Sequence, residues 1–309
     1  MKFFSVIVLN WNGKKYLKDC FSSIKRQSFQ DFEAILVDNN SDDGSVEYVK
    51  KKFPFVKIVQ NDDNYGFAKG NNIGIAKAKG KWVFILNNDT KLDKHCLEQA
   101  KKVIDAHKGT LGMVGPKMIY FDTLKVDTIG LNILKSGLGA DAKKYNKRII
   151  GPCGGAGFYK KEMLADVKEG KGDYFDSDFF IYCEDYDLAL RGFRKGWAYA
   201  YSPGSVVHHV HSATMRKESK KAVFLQQRNL KLALVKNMPL GFLLRNSIWI
   251  LYTHLLVSGM WCLRRRPLIV LKYNIDIILK LPRYIRKRRK TVQTITSQDF
   301  NKAVLDRLY

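Results

Sequence analysis

The sequence predicts an α/β domain with a mainly parallel sheet and helices on both faces, followed by a C-terminal run of basic amphipathic helices. Three observations predict it. Over the first 92 residues, four short apolar runs alternate with segments of helical period. Each apolar run breaks off in Asn, Asp or Gln. The charge is lopsided: of a formal +25 over 309 residues, residues 215–290 hold nineteen lysines and arginines against Glu218 and Asp276, a local excess of 17. Strand–helix alternation gives a parallel sheet covered on both sides. The polar strand ends then emerge together on one edge, where such sheets bind ligands.

Residues 3–9 (FFSVIVL) form the first strand. They are too short for a signal-peptide core, and no small-residue cleavage site follows. Residues 14–27 carry Tyr16, Leu17, Cys20, Phe21 and Ile24 on one stripe, a helix. Residues 32–37 form the second strand, 45–52 a short helix, 56–60 the third strand, 61–66 a turn, 67–79 a helix ended by Gly80, and 82–86 the fourth strand. The chain pivots on residues 83–92 (VFILNNDTKL), an apolar run of the kind buried on both faces. It ends in Asn87-Asn88-Asp89-Thr90, which makes Asp89 a candidate to handle metal or phosphate. The alternative is a polar turn in which Asp89 or Thr90 caps the next helix.

Asp38, directly after the second strand, can accept hydrogen bonds from a nucleobase imide or a ribose hydroxyl. The alternative is a solvated turn with Ser41 or Asp42 as helix cap. Residues 64–74 (NYGFAKGNNIG) combine glycines that permit close backbone approach with a helix start whose N–H groups can meet an anion.

The segments VDNNSDDGS (37–45), NYGFAKGNNIG (64–74) and ILNNDT (85–90) occur in that order. Together they resemble the nucleotide-binding half of family 2 glycosyltransferases, whose fold is called GT-A. The resemblance implies that Asp38 binds the nucleotide base and that Asp89, the last acid of a DxD motif, holds a divalent metal on the donor diphosphate. Asn87 replaces the first acid of that motif, as in many relatives of rhamnosyltransferase type.

Residues 111–116 read as a strand, and 117–149 as a mixed segment with Gly137 and Gly139 in a mobile loop. Residues 151–158 (GPCGGAGF) could be a turn, a phosphate cradle or a place of close packing. Within 174–190, Phe175, Phe179, Phe180 and Tyr182 form an apolar wall. Glu184-Asp185 opens a helix reaching about Lys195, and Asp187 and Arg191 are spaced to pair on its surface. Two acids at a helix start are a dipole-stabilised cap, or one is a general base. The pattern FDxxFFxYxEDxDLxxRxxxxG again resembles the family, which implies Asp185 as catalytic base, Glu184 beside it and Arg191 in support. After a short strand at 197–201 come His208, His209 and His211. These are packing histidines or contacts to metal or diphosphate. Relatives carry one histidine here that completes the metal shell, and His209 aligns better than His211 or Ser212.

The resemblance thus implies an inverting glycosyltransferase. Its nucleotide-sugar contacts are Asn10, Asp38, Asn40, Asn64, Gly66, Asn72, Asn88 and Arg191. Gly155, Ala156 and Tyr182 lie on the acceptor side, and Asp89 and His209 hold Mn²⁺ or Mg²⁺. Residues 1–215 form the GT-A-like catalytic domain, divided into 1–92 and 93–215, and 216–309 the basic helical region.

That region opens with Arg216, Lys217, Lys220 and Lys221. Residues 240–263 are apolar but interrupted by Arg245, Asn246 and His254. Arg264-Arg265-Arg266 follow, then a helix from Pro267 that Pro282 ends, and then the cluster 283–290. Apolar stripes between cationic clusters fit the interface of an anionic membrane. They argue against nucleic acid, for which no recognised module is present. A membrane location implies a lipid-linked or cell-surface glycan as acceptor. Gln226-Gln227-Arg228-Asn229 lacks the Trp of the QxxRW motif of processive relatives. Five cysteines without a CxxC pair are expected as free thiols in a cytoplasmic protein, peripheral on the inner membrane face. Two other classes remain: a catalytically silent sugar-nucleotide binder, or a basic membrane-surface scaffold.

Overall fold

The computed structural model describes residues 2–210, 219–290 and 294–308. His211, Ser212, Arg216, Lys217 and the expected boundary at residue 215 lie outside the described residues. The first half follows the sequence pattern: β1 (Phe4–Asn10), α1 (Lys14–Lys25), β2 (Phe32–Asp38), α2 (Ser45–Lys52), β3 (Val56–Gln60), α3 (Gly66–Lys77) and β4 (Trp82–Asn87). There follow β5 (Thr90–Leu92), α4 (Cys96–Ala106), β6 (Leu111–Tyr120), β7 (Val126–Thr128), β8 (Leu131–Leu134) and β9 (Gly139–Asp141). Next come β10 (Ala156–Lys160), α5 (Lys161–Val167), a 3₁₀ turn at Ser177–Phe179, α6 (Glu184–Arg194) and β11 (Ala198–His209). The C-terminal helices are α7 (Lys220–Asn237), α8 (Leu240–Arg245), α9 (Ser247–Leu263), α10 (Pro267–Lys290) and α11 (Ser297–Ala303), before β12 (Val304–Leu305).

The main sheet runs β3-β2-β1-β4-β10-β6-β11-β5, with β7 on β6. Strands β1 to β4, β6 and β11 point one way, while β10, β5 and β7 run against them. Two apolar cores pack on opposite faces. Phe4, Phe21, Phe84 and Phe158 sit in one, and Ile7, Ile35, Ile75, Ile85 and Leu188 in the other. Because the chain leaves β1 toward β2 and β3 and returns to β4 on the other side, the strand order reverses between β1 and β4. That is the point where open sheets bind ligands.

Three expectations are corrected. The strand at 197–201 and the histidine segment are one strand, β11. It crosses Pro203-Gly204 through a register shift between Ser202 and Val206 against β6, and a bulge of this kind tolerates both residues. Pro282 does not end a helix but lies within α10. Tertiary contacts beyond it outweigh the lost backbone bond: Tyr284 stacks on Phe179, and Lys287 reaches Asp176 and Asp178. Asp187 and Arg191 pair in the interior, not on the surface, both almost fully buried.

The C-terminal helices fold back onto the body. β12 pairs with β8, and Phe300 packs against Phe193 and Phe242. Lys236 of α7 is fully buried among Glu169, Asp176 and Asp187. No helix of the described residues is long and apolar enough to cross a membrane.

Candidate active site

Parallel register places Asn10 beside Asp38, at the carboxyl ends of β1 and β2. Both are buried. Asp38 Oδ1 accepts from Asn10 Nδ2 at 2.9 Å and Ser41 Oγ at 2.7 Å, and Oδ2 accepts from Ser41 N at 2.8 Å. Asn88, just past β4, donates its amide to Asn10 Oδ1 at 2.7 Å. One chain of polar side chains thus spans β4, β1 and β2, across the reversal of strand order. Gly13 is required beneath it, since a Cβ there would lie 2.1 Å from Asn88 Nδ2.

Asn40, expected to face the nucleotide, is exposed with φ 59°. Its buried neighbour Asn39 is the one that joins the strand ends, bonding Asn61 at 2.8 Å, Asn64 at 3.3 Å and the Gly66 carbonyl at 3.0 Å. Asn64 Oδ1 accepts from Gly66 N at 3.0 Å. The α3 N-terminus is not open to an anion as expected: Phe67 and Ala68 donate to the Phe180 carbonyl at 2.6 and 3.1 Å. Gly66 lies against Phe180, whose carbonyl a Cβ would meet at 2.5 Å.

Asn72 and Arg191 also depart from expectation. Asn72 donates to Asp173, Phe175 and Ser177 and accepts from Phe175 N, so its polar atoms brace the 173–177 segment. Arg191 spends its guanidinium on Asp187, Val167 O and Tyr174 O. Each side chain sits where the fold needs a polar bolt.

The turn after β4 carries Asp89 into β5, where Thr90 pairs with His209. Thr90 donates to Asn87 O at 2.6 Å and caps no helix; the next helix starts only at Cys96. Alternation along β11 sends His208 to Asp93 at the surface and His209 inward. His209 Nε2 lies 3.5 Å from Asp89 Oδ1, and Nδ1 lies 2.9 Å from Asp127 Oδ2. Burial alone would lower the imidazole pKa. Hydrogen bonds with Asp127 and Asp89 outweigh it and raise it to about 9. Asp127, on β7, had no signal in a segment that read only as mixed.

A buried carboxylate oxygen and an imidazole nitrogen at this spacing are donors that could hold a hard divalent cation such as Mn²⁺ or Mg²⁺. Among the described residues, Glu169, Asp173 and Asp176 also lie close enough to share an ion. Lys236 and Lys287 already neutralise that group, at 2.5 to 3.3 Å from Glu169 and Asp176.

The 151–158 segment resolves its alternatives as close packing beside the site. Gly155 O accepts from Asn87 N at 3.0 Å, and a Cβ on Gly155 would meet Met118 at 2.7 Å and His209 at 3.6 Å. Ala156 is buried opposite Leu86 in β10. Gly154 N donates to Asp185 Oδ2 at 2.7 Å, and Tyr186 N to Oδ1 at 2.7 Å. Gly154 thus binds Asp185 while a Cβ on its neighbour Gly155 would stand 3.6 Å from the His209 ring, so consecutive residues link the Asp185 carboxylate to the neighbourhood of the Asp89–His209 pair.

The two adjacent acids differ. Burial pushes the Asp185 carboxyl up, partly offset by the Gly154 and Tyr186 N–H groups, while Asp141 adds to the rise. Glu184 is pushed well above the usual carboxylate range by burial and by Asp185, and its Oε2 has no hydrogen-bond partner. Both carboxyls are pushed up by burial, Glu184 the further, while Asp185 keeps two N–H donors that favour its charged form. Tyr182, half-buried beside them, has φ 73°.

Residues 5–167 match the model of the family described as Glycosyl transferase family 2. Over 177 residues, 53% of this chain, the sequence is 27% identical to the poly(ribitol-phosphate) beta-N-acetylglucosaminyltransferase TarS of Staphylococcus aureus. Over 98 residues, 30% of the chain, it is 34% identical to the glycosyltransferase GlyG of Streptococcus pneumoniae. These matches take in 28% of TarS and 32% of GlyG. The fold is similar to residues 1–349 of S. aureus TarS in complex with UDP, with a TM-score of 0.55 at 17% identity over 96% of this chain and 95% of that one. It is also similar to the mannosyltransferase PcManGT of Pyrobaculum calidifontis in complex with GDP-Man and Mn²⁺, with a TM-score of 0.55 at 15% identity over 93% and 86% of the two chains. The GT-A fold expected from the sequence is the one found.

Proposed function

We propose that this chain, which belongs to glycosyl transferase family 2, moves a sugar from a nucleoside-diphosphate donor to an acceptor hydroxyl with inversion. The observation that carries this reading is the placement of consecutive residues at the two acids: Gly154 N donates to Asp185, and a Cβ on Gly155 would stand 3.6 Å from the His209 ring that faces Asp89. Asp38, oriented by Asn10 and Ser41, reads the base, with Asn88 and Asn64 on the same edge. Asp185 takes the proton of the acceptor hydroxyl. The freed oxygen forms its bond to the anomeric carbon as the bond to the donor phosphate oxygen breaks on the opposite face. A divalent cation held by Asp89 and His209 would supply Lewis-acid neutralisation of the departing diphosphate. Glu184, whose carboxyl burial and Asp185 push well above the usual range, stands beside the base.

The acceptor reading rests on the C-terminal helices. Helix α9 exposes Ile248, Leu255 and Leu263, and α10 exposes Leu271 and Leu279, with Leu263 at 87% and Ile248 at 76% exposure. Arg264, Arg265 and Arg266 sit at the turn between them. An apolar face edged by arginines suits shallow insertion into an anionic bilayer. This supports a position on the inner face of the cell membrane and a lipid-linked or cell-surface glycan as acceptor. TarS is by name a poly(ribitol-phosphate) beta-N-acetylglucosaminyltransferase, so this relative acts on a polymer acceptor.

The test is a panel of UDP-, GDP- and dTDP-sugars, with and without Mn²⁺ or Mg²⁺, following nucleoside diphosphate release and thermal shift. Metal-dependent turnover of one donor, lost in Asp185→Asn, is expected. Absence of turnover with every donor would favour a silent binder. Flotation with anionic but not neutral liposomes, lost in an Ile248→Asp/Leu263→Asp variant, is expected of the membrane face.

A further inference from the structure

Among the described residues, seven non-glycine residues have positive φ, and three of them fall just before the helix that carries Asp185: Phe180 at 63°, Tyr182 at 73° and Cys183 at 69°. A left-handed backbone at side-chain-bearing residues persists only where its surroundings enforce it. Here five successive carbonyls, 178 to 182, are each gripped. The Phe180 carbonyl accepts the Phe67 and Ala68 N–H groups of α3. Asn229 of α7 donates Nδ2 to Phe179 O at 2.9 Å, Ile181 O at 2.9 Å and Tyr182 O at 2.8 Å. Its neighbour Arg228 donates to Asp178 O at 3.0 Å and holds Asn229 Oδ1 at 2.8 Å, which fixes the direction of the amide. Asn229 is fully buried.

We propose that Asn229 is a positioning residue for the general base. It holds residues 179–183 on the left-handed path that starts α6 where the Asp185 carboxylate meets Gly154 N. The inference rests on the reading of Asp185 as base. It also links the C-terminal helices to catalysis, because α10 grips the same segment through Asp276 to Arg228 and through Lys287 to Asp178.

The experiment uses the full chain carrying Asn229→Ala. Turnover should fall about 10²-fold, the low end of what a placed base contributes, while donor KM and nucleoside diphosphate affinity stay within about twofold because α3 still grips Phe180. Hydrogen exchange at the Gly154 amide should accelerate as Asp185 loses its fixed place. Adding Cys183→Gly, which takes the left-handed path without penalty, should restore part of the protection and part of the turnover. The same pair serves if Asn229→Ala alone does not fold. Wild-type turnover and Gly154 protection in a folded Asn229→Ala chain would overturn the proposal, as would a proportionate loss of donor affinity and turnover, the mark of a merely structural residue. Should the wild-type chain turn over no donor, the transferase reading fails, and Gly154 exchange alone still decides whether Asn229 places Asp185.

Discussion

Asp127 and His209 are joined through Nδ1 of the imidazole, 2.9 Å from the carboxylate, while Nε2 of the same ring faces Asp89 at 3.5 Å. Asp127 therefore fixes the orientation of the ring and which nitrogen is left for a metal. Asp127→Ala is expected to weaken Mn²⁺ binding by about 10- to 100-fold, with little change in nucleoside diphosphate binding measured without metal. Calorimetric Mn²⁺ titration checks it, and an unchanged affinity would take His209 out of the metal shell.

Asp185→Asn keeps the shape of the side chain and removes the base. Turnover is expected to drop about 10²- to 10⁴-fold with donor binding retained. In the wild type, turnover should rise with pH as Asp185 loses its proton, through a pKa above the usual aspartate value near 4. The sign for stability is opposite. A carboxyl whose pKa is raised by folding contributes stability below its unfolded pKa and loses it as pH rises through the folded one. The Asn variant should therefore be more stable than wild type at neutral pH, measured by urea unfolding.

Gly13→Ala places a methyl within 2.1 Å of Asn88 Nδ2 and 2.7 Å of Asn10 Oδ1. Overpacking at such a point costs about 1–3 kcal/mol, and the amide chain from Asn88 to Asp38 should break. Weaker nucleotide binding with intact secondary structure is the expected result. Full nucleotide affinity would show that the chain from Asn10 to Asn88 does not shape the pocket.

Lys236→Met should cost about 3–5 kcal/mol, because Glu169, Asp176 and Asp187 would lose the buried cation they share and keep only Lys287 and Arg191 as partners. Burial by itself raises the pKa of Asp176 and Asp187; Lys236 together with Lys287 at Asp176, and Lys236 together with Arg191 at Asp187, more than reverse this, leaving both below the usual range. Their stabilisation is present above about pH 4 and is lost as pH falls through the depressed values. The gap between wild type and variant should therefore close on acidification, a trend that denaturant midpoints across pH would reveal.

The strands and helices up to residue 92 were legible because local pattern and packing agree: an apolar run of four to seven residues bounded by polar turns admits one solution. Asp38 and Asp89 stand out in the sequence for a related reason, since each lies just past a buried strand, whereas Asp185 stands out only through the family pattern of residues 175–196. Asn72 and Arg191 misled for the converse reason. A polar residue in a motif looks the same in sequence whether it faces a ligand or satisfies a buried carbonyl.

The sequence by itself determined the α/β order, the strand ends that carry the site and the basic character of the last third, because these depend on periodicity and composition. The tertiary structure alone decided that Asp127 stands behind His209, that Asn39 and not Asn40 ties the strand ends, and that α10 continues through Pro282. It also turned Lys236 and Lys287 inward to Glu169, Asp176 and Asp178, so that part of the basic tail balances buried acids. Each of these joins residues far apart in the chain, and such partners are fixed by how the layers close, a choice that no local pattern encodes.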